Sequence, residues 1–148
     1  MQIFLPYTNI LNVAKCLDKR RLHKQIVECG QIIKAITGES EAWKNHPKVK
    51  MYFNDLEFVE TYLEVLEYYW KLKQKNEDIE DDLELCSLNE RANCLLPTFI
   101  NNEYLATMKG RLYVKDPIYY SQFASYEKYG DKNMYFVDGE WKYYKQNK

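Results

Sequence analysis

The chain has 148 residues, a formal net charge of −1, 46% hydrophobic and 16% aromatic content. That length suits one domain, burying about 68–70% of the unfolded chain's surface, and the aromatic and aliphatic content excludes a disordered chain. No apolar run approaches the roughly 20 residues of a membrane-spanning helix, the start shows no signal-peptide pattern, and 21 basic against 22 acidic residues show none of the basic excess usual in a nucleic-acid binder.

In chain order, the apolar Met1–Tyr7 segment ends at Pro6-Tyr7, after which Thr8 or Asn9 can cap a short helix carrying Ile10, Leu11 and Val13. Asp18 is the next N-cap candidate, opening a helix whose Leu22, Ile26, Cys29, Ile33 and Ile36 recur at spacings of three and four. Gly38 is placed to stop it. Thr37–His46 reads as a loop with Trp43 as an anchor. A helix from about Asp55 to Lys75 carries the stripe Leu56, Val59, Leu63, Leu66 and Tyr69/Trp70, with Glu57, Glu60, Glu64 and Glu67 facing water. Asn76–Glu84 holds six acidic residues and reads as a mobile, solvated loop. Pro97 and Pro117 bracket a helix near Asn101–Leu112, and Tyr135–Tyr143 reads as a hairpin over Asp138-Gly139. The fold class expected is all-α, a mainly helical single domain over 1–148 with a small C-terminal β-hairpin.

Divided along the chain, the charge is not uniform. Residues 1–50 carry nine basic and four acidic groups, residues 51–100 four and twelve, and residues 101–148 eight and six. A basic first third suits a polyanion on one face; ordinary solvated helix faces would give the same pattern. Cys16, Cys29, Cys86 and Cys94 form no CxxC pair, and with only His23 and His46 beside them a zinc site is not expected. The cysteines read as reduced thiols, Cys29 as a buried one.

Gly-rich phosphate loops, GxSxG and HExxH are absent. Two features remain: the basic block Asp18–Gln25 leading to Glu28 on the same helix, and the first residue itself. Glu28 among apolar neighbours must be paired or face a cleft. A pair with Lys24 at i,i−4 is the structural reading; a carboxylate that steadies a developing cation or shuttles a proton is the functional one.

Three blocks taken together, Met1-Gln2-Ile3-Phe4-Leu5-Pro6-Tyr7, Leu17–Gln25 with Val27-Glu28, and Trp43–Val49 with Met51, resemble the pyrimidine-dimer DNA glycosylase family, of the phage endonuclease V type and closer to its bacterial relatives. Tyr52–Phe58 and, more loosely, Lys115-Asp116-Pro117 with Tyr119-Tyr120 extend the likeness; the acidic loop and final hairpin lie outside it. The resemblance implies a DNA-repair glycosylase with AP-lyase activity whose nucleophile is its N-terminal α-amine. That amine attacks C1′ of a damaged nucleotide, forms a Schiff base and nicks the strand by β-elimination. It implies Met1 as nucleophile, Glu28 as the supporting acid, and Arg21 in place of a DNA-contacting histidine. Gln2 should leave Met1 in place, and Val27 and Gln31 stand where the phage enzyme has arginines.

Arg20, Lys24 and Gln25 join Arg21 as DNA-contact candidates, with His46, Lys48, Lys50, Lys109, Arg111 and Lys115 as outer cations and Tyr119 as a stacking ring. The partner implied is damaged double-stranded DNA, bound by a cytoplasmic monomer (in the host cytoplasm if viral) with no cofactor, metal or membrane. The rival readings are a non-catalytic nucleic-acid or nucleotide-ligand binding module on the same fold, and a protein-interaction domain using the acidic middle.

Overall fold

The computed structural model describes residues 1–145. Among them, α1 (Ile10–Cys16), α2 (Lys19–Thr37), α3 (Pro47–Met51), α4 (Leu56–Gln74), α5 (Leu83–Cys94) and α6 (Asn102–Lys115) precede a 3-10 helix (Ser121–Tyr129) and an antiparallel hairpin of β1 (Lys132–Val137) and β2 (Glu140–Lys145). The protein is mainly helical with a terminal hairpin, as its periodicity predicts.

Local chemistry explains most boundaries. Asn9 caps α1, its side chain accepting the Asn12 amide at 3.2 Å. Gly38 ends α2 at φ +80°, where a side chain would be strained. Asp138 and Gly139, at φ +56° and +79°, form the two-residue turn that pairs Val137 with Glu140.

The buried face of α2 is rotated from the predicted stripe. Leu22, Gln25, Cys29, Ile32 and Ala35 are buried, whereas Ile26, Ile33 and Ile36 are half-buried at its margin. Gln25 joins the core because the N-terminal segment lies against it and its amide binds that segment's backbone. Asp18 stands at the N-cap position of α2 without capping it; its carboxylate is taken by the Tyr120 hydroxyl and by Arg21.

Trp43 is not an anchor: it is half-exposed, at φ +67°. Pro47 at the first position and His46 as cap, its Nδ1 accepting the Lys48 amide, make the following residues the unpredicted α3. The acidic segment is exposed as expected, but it ends in the unpredicted α5, whose cap Asp82 accepts the Leu85 amide at 2.9 Å.

These helices enclose an extended N-terminal segment. Ile3 and Leu5 are fully buried, the Phe4 carbonyl accepts the Tyr62 hydroxyl of α4 at 2.7 Å, and the Ile3 carbonyl accepts that of Tyr104 of α6 at 3.4 Å. The hairpin closes over the same segment: Phe99 stacks on Phe136 at 4.7 Å, and Gln2 Nε2 donates to Asn133 Oδ1 at 3.1 Å. Burial of Ile3 and Leu5 therefore fixes where the chain's first atoms emerge.

Candidate active site at the N-terminal amine

They emerge into a cleft of about 450 Å³. Its floor is Met1 and Gln2; α2 supplies Arg20, Arg21, Lys24, Gln25 and Glu28 from one face, as spacings of three and four require. Arg111 and Lys115 enter from α6, His46 from the cap of α3, and Asn133 and Tyr135 from β1. Five Lys and Arg side chains thus surround one carboxylate, so the cleft is strongly electropositive in a near-neutral protein.

Glu28 Oε2 accepts the Gln2 amide at 3.0 Å, while Oε1 lies 3.9 Å from Lys24 Nζ. The intrahelical pair and the cleft-facing carboxylate are both present. The short bond goes to the N-terminal backbone; the Lys24 partner is largely solvated. Burial lowers the proton affinity of the Met1 amine. The Glu28 charge opposes this and Lys24, Lys48 and Arg111 add to it, leaving the amine below its ordinary 8.0.

Gln25, expected to touch DNA, is buried and holds the amine's own strand. Its Oε1 accepts the Phe4 amide at 2.6 Å, and its Nε2 donates to the Gln2 carbonyl at 2.7 Å. Arg21 lies over the Tyr120 ring at 5.8 Å and donates to Asp18 at 3.1 Å. Burial alone would raise Asp18, but the hydrogen bonds from Tyr120 and Arg21 outweigh it and hold the carboxyl below its usual range. Burial, helped by Arg111, Lys24 and Arg21, lowers Lys115; burial, the terminal amine and Lys48 lower His46.

The other expected contacts are elsewhere. Lys48 is a correction: it is wholly buried, with Nζ 2.9 Å from the Tyr104 hydroxyl, because α3 turns its side chain inward between two aromatic rings. Lys50 is exposed on a separate groove with Phe53 and Phe99. Lys109 lies outside the cleft, over the rings of Tyr7 and Tyr126. Tyr119 is exposed beside Trp70 in another groove, its ring edge-on to Tyr120.

Asn133 and Tyr135 in the cleft wall were not anticipated. The Asp-Gly turn announces their hairpin, but nothing local says which strand faces the amine. Among the described residues no group of three or more His, Cys, Asp or Glu could hold a metal, and no helix is long and apolar enough to cross a membrane. The four cysteines are free and Cys29 is buried.

The family model for pyrimidine dimer DNA glycosylase matches residues 1–81. No curated protein and no solved structure matches the chain. The matched segment contains Met1, the basic face of α2, Glu28 and His46 of the cleft, while Arg111, Lys115, Asn133 and Tyr135 lie beyond it. Matched over more than half its length, the chain belongs to the pyrimidine dimer DNA glycosylase family, whose enzymes act on DNA.

Proposed function

We propose that the protein is a DNA glycosylase with AP-lyase activity, acting on damaged duplex DNA as a monomer, with Met1 as the nucleophile and Glu28 as its acid–base and electrostatic partner. The observation that carries this reading is that Met1 and Glu28 line one cationic cleft, with the Glu28 carboxylate bonded to the amide of the next residue, Gln2.

The neutral amine attacks C1′ of the lesion nucleotide. The C1′–N bond to the base breaks, and the base leaves with the bond's electron pair and takes up a proton. The amine sheds its own proton as the C1′–N bond to Met1 forms. Opening of the sugar ring breaks C1′–O4′, places a proton on O4′ and leaves an iminium cation. Loss of a C2′ proton then expels the 3′ phosphate, and water releases the aldehyde from Met1. Glu28 is placed to steady the iminium and to exchange protons with O4′ or C2′. A lowered amine serves the first step, since only the unprotonated form attacks.

Arg20, Arg21, Lys24 and Lys115 supply phosphate contacts, which set affinity and its salt dependence. Exposing C1′ requires bending or flipping of the lesion, at a cost of about a few kcal/mol that is smallest where stacking is already disturbed. Pyrimidine dimers are the substrate the family suggests. Val27 and Gln31 are exposed on α2 where the resemblance has arginines, and that observation favours testing other lesions beside the dimer.

The test is incubation with duplex DNA containing either a cyclobutane dimer or an abasic site, with and without borohydride. Strand cleavage, and a covalent adduct when the reductant is present, are expected. A folded protein with an unblocked terminus that forms no adduct on abasic DNA would leave the non-catalytic binding module as the reading.

A further inference from the structure

Lys48 is the most unusual group in the fold that the proposed reaction does not use. Its side chain is fully buried, and among the described residues none of the ion pairs involves it. Its ammonium donates to the Tyr104 hydroxyl at 2.9 Å, lies 3.7 Å from Met51 Sδ, and faces the rings of Tyr104 and Tyr135 at 5.1 and 4.8 Å. A buried lysine without a carboxylate is expensive, and an apolar side chain of similar volume is generally the more stable choice. Two ring faces offset part of that cost by attracting the cation.

The position ties this cation to the reacting end of the chain. Tyr135, on one side of Lys48, is a wall of the Met1 cleft. Tyr104, on the other, donates to the Ile3 carbonyl two residues from the amine. The charged and titratable groups facing the pair come from every neighbouring element. Arg111 and Tyr104 stand on α6, His46 caps α3, Tyr52 follows it, and Lys24 and Glu28 stand on α2. Glu28 is the one anion among them, and its short bond is spent on the Gln2 amide.

We infer that Lys48 is a positioning residue for the amine, a buried cation behind the Tyr135 wall that, beside burial itself and Lys24, disfavours the charged form of Met1. Two amines in one poorly solvated region compete for protons, so charge on one disfavours charge on the other. The inference rests on the proposed Met1 reading for its catalytic meaning, but the competition exists in the protein without substrate.

The experiment compares wild type with Lys48→Met, which keeps the volume and removes the charge, and Lys48→Arg, which keeps the charge. The rate of borohydride trapping on abasic DNA is followed against pH. The Cα shift of 13C-labelled Met1 is titrated in the substrate-free protein. In Lys48→Met the Met1 midpoint should rise by about half a unit or more, lowering the neutral fraction and the trapping rate about threefold near pH 7, with the rates converging above the midpoint. Lys48→Arg, charged throughout the titration, should hold the Met1 midpoint at or below that of wild type. An unchanged midpoint in folded Lys48→Met, or an equal rise in both variants, overturns the inference.

Should the variants not fold, wild type labelled at Met1 Cα and lysine Cε decides. The two sites should titrate interdependently, and two independent single-site curves overturn the inference. A wild type that traps nothing would refute the lyase reading alone, because the amine titration is read without DNA.

Discussion

Gln2 and Glu28 are joined directly across 26 positions of sequence: the Gln2 amide donates to Glu28 Oε2 over 3.0 Å. The acid on α2 thereby orients the residue that follows Met1, the proposed nucleophile. Glu28→Gln keeps an acceptor for that amide but loses charge and basicity. Strand cleavage of abasic duplex should fall by about 10²-fold or more, while duplex affinity measured by anisotropy stays close to wild type.

Gln25 should behave as a structural residue of the site. Gln25→Ala leaves the Phe4 amide and the Gln2 carbonyl without their partners in a buried place. Stability in a denaturant titration should drop by about 1–3 kcal/mol, and trapping should slow even under conditions where the variant is fully folded.

Phosphate contacts should be confined to the cleft. Arg20→Ala and Lys24→Ala should each weaken binding to any duplex and reduce the slope of log affinity against log salt by about one. Lys50→Ala, on a separate groove, should leave the slope unchanged.

These predictions depend on placements that the sequence carried unevenly. Caps and turns were legible at Asn9, Gly38 and Asp138-Gly139, because their signals are local and chemical. The facing of α2 was not. Gln25 is buried because the extended N-terminal segment, some 20 positions away, uses its amide. Lys48 reads as a surface charge until Tyr104 and Tyr135, brought from α6 and β1, close over it. α5 is not legible in the sequence because Leu83–Cys94 buries only Leu85, Asn89 and Ala92. At the site, the basic face of α2 and Glu28 were legible as a block, whereas the hairpin's share of the cleft is wholly tertiary.

Lys48 should also leave a mark on stability. Burial, with Arg111 nearby, lowers it from 10.5 to about 7 in the fold. Between those values the unfolded chain holds more protons at this position, so the Lys48 contribution makes the protein more stable as pH rises from about 7 towards 10. Buried Tyr52, Tyr62 and Tyr104 hold their protons more tightly when folded, so above about pH 10 they reverse the trend. The difference in unfolding free energy between wild type and Lys48→Met isolates the lysine: the variant's advantage should be largest near pH 7 and shrink towards pH 10.

The covalent bond to the sugar falls on the terminal α-amine if Met1 is the nucleophile. After borohydride trapping on abasic duplex and nuclease trimming, peptide mapping by mass spectrometry should find the sugar remnant on the Met1 α-amine, and a protein extended by residues before Met1 should trap nothing. A remnant on a lysine-containing internal peptide, or trapping that survives the extension, would contradict that role for Met1.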